Sequence, residues 1–278
     1  MVGVAQLVRA PGCGPGGCRF DPGRSPQNMI FIGIDLAWST KNATGVAVID
    51  GNKKQGKLID SKIIFSDKEI IDYINSFAKK EKAFVAIDAP LIVPNKTGRR
   101  IAEVEVGKLF RKYDAGAHPA NRTRLSSWTG EIRGEKISKL LEKNGYKHSP
   151  FIKRFEPTRK FFEVYPHPAM VALFDLDRIL RYKNKPNRDY NFRWKEFQKY
   201  QGHLKKLEKK NPALFIAKDF FVKNLNGMKG KALKNFEDRL DAAFCAYIAY
   251  YFWANPQKCT MLGTMKGGYI LTPIHSRE

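Results

Sequence analysis

The order of apolar runs in residues 30–91 constrains the fold more than any other feature of the chain. Three runs of strand length follow one another with short polar turns between them, which favours an antiparallel meander. Apolar residues at helical spacing then predict a helix over residues 68–80, and the apolar run 83–91 predicts a strand covered on both faces. The order β-β-β-α-β therefore indicates an α/β fold with a mixed sheet. The three meander strands are predicted at residues 30–37, 44–50 and 57–65.

Further elements are predicted in the second half of the chain. Residues 161–174 are again mainly apolar and indicate a short strand followed by a helix. Apolar side chains recur every three or four positions in residues 236–253, which is the strongest helical pattern in the sequence. Residues 267–274 predict a final edge strand.

The composition limits the class of protein. Of the 278 residues, 43% are hydrophobic and 12% are aromatic, which excludes a chain that is disordered throughout. No apolar run approaches the ~18 residues needed to cross a bilayer, so we expect no membrane partner. Four Cys residues are too few for a disulfide scaffold, and we expect a cytoplasmic protein in a reducing environment.

The net charge of +23 points to a polyanionic partner, with nucleic acid as the first candidate. Residues 93–160 hold 17 Lys and Arg against 7 Asp and Glu, and residues 181–234 hold 16 against 4. We expect both segments to be basic helical insertions. A biased composition in an organism with an AT-rich genome is the alternative source of the many Lys residues. The candidate nucleic-acid contacts are Arg99, Arg100, Lys160, Arg193 and Trp194.

The first 28 residues differ from the rest of the chain, because Gly and Pro interrupt them and no hydrophobic period runs through them. Cys13 and Cys18 alone make a weak half of a metal site. The segment AQLVRAPGCGPGGCRFDPGRSP resembles the conceptual translation of a tRNA gene. We therefore expect residues 1–28 to be a disordered tail from a wrongly assigned start, and a single domain to span residues 29–278.

Acidic residues occur inside or at the ends of apolar segments. Asp35 and Asp88 lie in predicted strands, Glu163 lies in the run FFEVYP, and Asp238 and Asp241 share a face of the last predicted helix. Singly, each acid could be a cap, an ion-pair partner or a charge at a helix end. As a set, buried carboxylates require a counter-charge, and hard oxygen ligands favour Mg²⁺ or Mn²⁺.

Four motifs, GIDLAWST, VAIDAPL, EVYPHPA and DRLDAAFCAY, together resemble domain of unknown function 429, a family described as predicted nucleases of the ribonuclease H fold. The resemblance covers roughly residues 29–274. Ribonuclease-H-like nucleases have an acid on the first strand of a three-stranded meander, a second on the next parallel strand and a third in a C-terminal helix. The resemblance thus implies a ribonuclease H-like mixed sheet, a meander plus parallel strands, with helices on both faces.

The resemblance also implies roles for the acids. Asp35, Asp88 and Asp241 match the metal ligands of the family pattern, and Glu163 and Asp238 are further candidates for metal binding. The catalytic set is Asp35, Asp88, Asp241 and Glu163. We expect two Mg²⁺ or Mn²⁺ ions, held by these carboxylates, and hydrolysis of phosphodiester bonds in DNA or RNA.

Two other functions are compatible with the sequence. Actin-like ATPases and sugar kinases also open with Gly-x-Asp on a first hairpin, although no second copy of the fold is visible in this chain. A non-catalytic nucleic-acid-binding module of the same fold is the other alternative. His167 follows Glu163 by four residues and could assist proton transfer, but a His between two prolines is more often structural.

Overall fold

The computed structural model describes residues 28–79, 81–127 and 130–274. The predictions made for residues 1–27 lie outside the described residues. The strands are Met29–Asp35 (β1), Thr44–Gly51 (β2), Gln55–Ile64 (β3), Ala83–Asp88 (β4), Lys147–His148 (β5), Arg159–Glu163 (β6), Ala213–Phe215 (β7), Cys259–Thr264 (β8) and Gly268–Pro273 (β9). The helices are Asp67–Ala78 (α1), Ile101–Phe110 (α2), Arg122–Ser126 (α3), Arg133–Lys143 (α4), Pro166–Phe174 (α5), Tyr190–Lys205 (α6) and Gly230–Ala254 (α7). Short 3-10 turns occupy Arg111–Tyr113, Lys206–Lys209, Lys218–Phe220 and Pro256–Lys258.

The main sheet has seven strands in the order β5-β6-β4-β1-β2-β3-β7. Strands β1, β2 and β3 form an antiparallel meander, and β4 and β6 continue the sheet parallel to β1. This arrangement confirms the predicted α/β class, the mixed sheet and the meander. Strands β1 and β4 are central, which agrees with their almost uninterrupted burial.

Helices cover both faces of the sheet. On one face, Phe31, Phe84 and Phe162 pack with the apolar residues of α5, α6 and α7. On the other face, Ile32 and Val85 pack with those of α1 and α4. Alternate residues of β1 and β4 therefore serve two different cores, which explains why both strands are apolar without alternation.

Two glycines allow the long helix α7 to lie directly on the sheet backbone. A Cβ atom on Gly33 would lie 2.0 Å from the carbonyl oxygen of Ala242, and one on Gly45 would lie 2.0 Å from that of Asp238. Any larger residue at either position would push the helix away. The close approach holds the acidic part of α7 beside the end of β1.

The basic segments and the last strand depart from the sequence prediction. The edge strand predicted at residues 267–274 is β9, but it pairs with β8 in a separate two-stranded sheet. The edge of the main sheet is formed by β7, which comes from the basic segment 181–234 and pairs with β3. Strand β7 has only three residues, and its partner β3 lies far away in the sequence. No local pattern in the sequence therefore marks β7 as a strand.

Helix α7 is 25 residues long and buries most of its side chains within the protein. Among the described residues, no helix combines the length and the apolar character needed to cross a membrane.

Candidate active site

Asp35 and Asp88 lie side by side at the ends of the two central strands. They are direct partners in the parallel register between β1 and β4. Neighbouring strands lie about 4.8 Å apart, and residues in register point to the same face. Both side chains are half-buried, whereas the rest of each strand is buried. The sheet therefore places two carboxylates together at one edge of the core.

Helix α7 brings further acids to the same place. Glu237, Asp238 and Asp241 are all buried on this helix. Asp35 is close enough to Asp238 to raise its pKa, and Asp241 is close enough to influence the pKa of Asp35 and Asp88. The side chains of Asp35, Asp88, Asp238 and Asp241 thus form one group, which we call the acidic cluster.

Two lysines supply the counter-charge of the acidic cluster. Lys183 Nζ lies 2.8 Å from Asp241 Oδ2. Lys234 Nζ lies 2.6 Å from Asp238 Oδ1 and 2.7 Å from Glu237 Oε1. The hydroxyl of Tyr182 donates a hydrogen bond of 2.7 Å to Asp241 Oδ1. Asp241 is therefore held on both oxygens by neighbours that come from the segment between α5 and α6.

The carboxylates respond differently to this environment. Burial and the charge of Asp35 raise the pKa of Asp88 well above its ordinary value. Burial and Asp35 also raise the pKa of Asp238, to about 8. Burial would raise the pKa of Asp241 as well, but Lys183 and Tyr182 outweigh it and lower that pKa. Asp241 is thus an ionised anchor, while the raised pKa values of Asp35, Asp88 and Asp238 show that the site disfavours further negative charge when no metal is bound.

The acidic cluster fits a hard divalent cation in its donor chemistry, because every donor is a carboxylate oxygen. Asp238 Oδ2 is buried and accepts no hydrogen bond from the described residues. The neighbouring carboxyl group of Asp35 can donate a hydrogen bond to it only when Asp35 is protonated. Within residues 28–79, 81–127 and 130–274, however, no group of three His, Cys, Asp or Glu side chains converges closely enough to hold an ion. Lys183 and Lys234 provide the positive charge in this arrangement.

Two clefts open over the acidic cluster. The first cleft has a volume of about 360 Å³, has Asp35 and Asp88 on its floor, and is walled by the loop at residues 114–120. The second cleft, of about 420 Å³, is lined by Asp35, Asp238 and Lys234. Asp35 and Trp38 border both clefts. Asp35 is therefore accessible from two sides of one exposed tryptophan, Asp88 from the first cleft and Asp238 from the second, whereas Asp241 is buried.

Comparison with known proteins places the chain in a family. A protein-family model described as Protein of unknown function (DUF429) matches residues 33–262. The chain belongs to this family. No curated protein and no solved structure matches the chain. The family match begins within β1 and ends within β8, and it includes every acid predicted from the sequence. The resemblance to the DUF429 family is thus confirmed.

In this DUF429 protein, Glu163 is engaged in an internal ion-pair network beside the acidic cluster. Arg100 Nη1 donates a hydrogen bond of 3.0 Å to Glu163 Oε2, and Arg100 Nη2 lies 2.5 Å from Glu163 Oε1. The backbone N–H of Leu91 donates to Glu163 Oε2, and Glu103 also pairs with Arg100. Both predicted residues are buried. Because Arg100 is buried and paired inside the protein, its placement does not support it as a nucleic-acid contact. The carboxylate of Glu163 is in turn bound by Arg100.

The other candidate nucleic-acid contacts lie in different surroundings. Lys160 is buried against Glu156, and Arg193 is buried beside Tyr182 and Glu237. The indole N–H of Trp194 donates to the carbonyl of Met228. Arg99 is exposed near the mouth of the first cleft, where it influences the pKa of His118. Of the five predicted contacts, Arg100 thus lines the first cleft from its buried ion pair, and Arg99 is an exposed residue near His118 of the same cleft.

His167 lines the first cleft of the DUF429 site. Its ring lies between Tyr165 and Tyr182, and burial lowers its pKa to about 3. The Nδ1 atom is buried and has no hydrogen-bond partner among the described residues. His167 is therefore neutral at physiological pH and has one ring nitrogen free for hydrogen bonding.

The sequence did not identify Lys183, Lys234, Tyr182 or Glu237 as site residues. Both lysines stand in a strongly basic segment, where no local pattern separates them from their neighbours. The spacing of Lys234 and Asp238, four apart on a helix, was a usable signal, because such pairs meet on one face.

Proposed function

We propose that this DUF429 protein is a metal-dependent nuclease with a ribonuclease H-like fold, which hydrolyses phosphodiester bonds of nucleic acid. The observation that carries the proposal is the register of Asp35 with Asp88, opposite Asp238 and Asp241 on α7. Four carboxylates this close together repel one another unless a cation is present, and a metal-assisted site depends on such repulsion to attract its metal.

The topology supports the proposal. The first acid ends β1 of a three-stranded meander, the second ends β4, which is the next parallel strand, and the last acids belong to the C-terminal helix α7. This distribution of acids is the one expected of ribonuclease-H-like nucleases. The same fold can carry other reactions, so the assignment depends on the site more than on the sheet.

The residues of the cluster have distinct tasks in this proposal. Asp35, Asp88, Asp238 and Asp241 would hold Mg²⁺ or Mn²⁺. The bound metal would supply Lewis-acid stabilisation of the phosphate and a water of lowered pKa. Tyr182 and Lys183 orient Asp241 through its two oxygens. Glu163 and Arg100 hold the loop after β4 through the N–H of Leu91 and the carbonyl of Ile92, which fixes the wall next to Asp88.

The charge around the first cleft supports a nucleic-acid substrate. Arg99, Arg124 and Lys185 are exposed and lie near His118 at the rim of the first cleft. Cations at the rim attract a phosphate backbone, and Lys183, Lys234 or a bound metal would offset the charge of the acids on the floor.

A cleavage screen tests the proposal. Single- and double-stranded DNA, RNA, hybrids and branched substrates are incubated with the protein and Mg²⁺ or Mn²⁺. We expect metal-dependent cleavage, and we expect Asp35→Asn and Asp88→Asn to reduce its rate by more than the 10- to 100-fold typical of residues that only support a ligand. Asp72→Asn is the matched control, because Asp72 is an exposed acid paired with Lys68 on α1.

Three outcomes contradict the proposal. Cleavage that persists at the wild-type rate in both active-site variants shows a contaminating nuclease. If the wild type binds nucleic acid and neither it nor any variant cleaves it, the result favours a non-catalytic module. Transfer of phosphate from ATP to a small molecule, lost in Asp35→Asn, favours the kinase-like alternative.

A further inference from the structure

Trp38 stands at the junction of the two clefts. It follows Asp35 by three residues, in the loop between β1 and β2, and it borders both clefts together with Asp35 and Leu36. Its side chain is 40% exposed. Large aromatic side chains usually stabilise a protein by burial, and this one leaves much of its ring in solvent directly above the acids. Its position is better explained by a ligand than by the core.

One basic side chain contacts this tryptophan, and others lie near the first cleft that it borders. The guanidinium of Arg124 lies 5.3 Å from the centre of the Trp38 ring. His118 lines the same cleft and is close enough to Arg124, Arg99 and Lys185 for all three to lower its pKa, together with burial. An exposed aromatic ring beside an arginine, in a cleft with further cations nearby, is an arrangement with which proteins bind single strands of nucleic acid.

The shape of the first cleft restricts what can reach the acids. Its volume of about 360 Å³ is near the lower end of the 300–1,000 Å³ usual for small-molecule sites. Its wall is held in place, because Asn95 Nδ2 donates to the carbonyl of Ala120, and Tyr165 donates to that of Gly116. A space of this size accommodates about one nucleotide, and a base can enter it only after leaving the stack of a duplex.

We propose that the two clefts bind adjacent nucleotides of an unpaired strand, with Trp38 stacking on a base at their junction. The phosphate between the two nucleotides then lies over Asp35, and Arg99, Arg124 and Lys185 contact the backbone on the side of the first cleft. This inference rests on the proposed nuclease function and specifies its substrate as single-stranded nucleic acid or a frayed end.

Binding measurements test this inference separately from cleavage. A fluorescein-labelled single strand of about 12 nucleotides, within the usual range of single-strand sites, is titrated with the full-length protein in EDTA, which blocks metal-dependent turnover. A blunt duplex of the same sequence is titrated in parallel, at an ionic strength of about 0.15 M. We expect the single strand to bind more tightly than the duplex.

Substitution of Trp38 supplies the decisive comparison. We expect Trp38→Ala to weaken single-strand binding about 5- to 100-fold, which is the usual value of one stacked base, and Trp38→Phe to restore most of the affinity. Phe151→Ala is the matched control, because Phe151 is an exposed aromatic residue that lies outside both clefts. Thermal unfolding of each variant checks that the fold is retained.

Equal affinity for strand and duplex, or unchanged single-strand binding by Trp38→Ala, overturns the inference. Such a result leaves the proposed nuclease function standing if Asp35→Asn and Asp88→Asn abolish cleavage. Conversely, Trp38-dependent binding without acid-dependent cleavage supports the single-strand site and refutes the nuclease.

Discussion

At the scale of single residues, Lys183 is the group on which the acidic cluster depends most. It is the first opposing charge on both Asp35 and Asp241, and these acids raise its own pKa well above the ordinary value although burial lowers it. Its side chain is 29% exposed, so the ammonium group can leave the cluster for solvent. In the proposed nuclease, a metal ion between the carboxylates would take over the charge that Lys183 supplies without it.

We expect Lys183→Met to destabilise the metal-free protein by about 2–3 kcal/mol, because it leaves Asp241 buried without its cation. We also expect Mn²⁺ to raise the melting temperature of this variant more than that of the wild type, since the ion no longer displaces an ammonium group. Thermal and urea unfolding, with and without Mn²⁺, measure both effects. Lys185→Met, which removes an exposed lysine two residues away, should change neither.

A Lys183→Met protein that is as stable as the wild type without metal contradicts this account of the cluster. So does an Mn²⁺ effect that is equal in the two proteins.

At the scale of elements, the contact between α7 and the meander decides whether the acids meet. The helix carries Asp238 and Asp241, and Gly33 and Gly45 let it touch the backbones of β1 and β2. The sheet supplies Asp35 and Asp88 whether or not the helix is in place. The site is therefore sensitive to displacements of one helix that would be tolerated elsewhere.

We expect Gly45→Ala to destabilise the fold by about 1–3 kcal/mol or more, because the added methyl group would overlap the carbonyl of Asp238 and force α7 outwards. Gly202→Ala is a control of opposite sign. Gly202 lies within α6 with no atom within 4 Å of an added Cβ, so alanine should stabilise the protein by about 0.5–1 kcal/mol. Urea unfolding of the two variants measures both effects, and a neutral Gly45→Ala would contradict the close contact.

The sequence predicts those elements whose pattern is local. The meander, α1 and β4 were predicted within three residues of their observed ends, because apolar runs and helical spacing act within each element. Strand β7 was missed because it has three residues and its partner β3 lies far along the chain. Strand β8 was missed because it is half-exposed and short of apolar residues, although its partner β9 follows it directly. The acids were visible as charges in apolar runs, whereas Lys183 resembles every other lysine in its segment.

At the scale of the whole molecule, the two basic segments meet over the acidic cluster. The first segment, residues 93–160, supplies His118 and the wall of the first cleft, and the second, residues 181–234, supplies Lys183 and Lys185. The effect of the net charge of +23 is therefore strongest around the acidic cluster. The same segments place positive charge at the rim and neutralise the floor, which allows an anion to approach acids that would otherwise repel it.

His148 connects the main sheet to the two-stranded sheet. It belongs to β5, stacks on Phe161 of β6 with ring centres 4.5 Å apart, and lies 3.0 Å from the hydroxyl of Tyr269 in β9. Burial lowers its pKa to about 4, so the ring is neutral in the folded protein near pH 7. The contact between the two sheets thus depends on a residue that gains charge in acid.

This residue makes the stability of the whole fold dependent on pH. Between the folded pKa of about 4 and the ordinary value of 6.5, the unfolded chain binds a proton at His148 and the folded protein does not. Stability must therefore fall as the pH decreases through this window.

We expect the wild type to lose about 1 kcal/mol more than His148→Gln between pH 7 and pH 5, a value reduced because the ring is partly exposed. Urea unfolding of both proteins at pH 8, 7 and 5 measures the difference. Between pH 8 and 7 the two should change in parallel, and parallel behaviour down to pH 5 would show that His148 titrates normally and does not couple the sheets to pH.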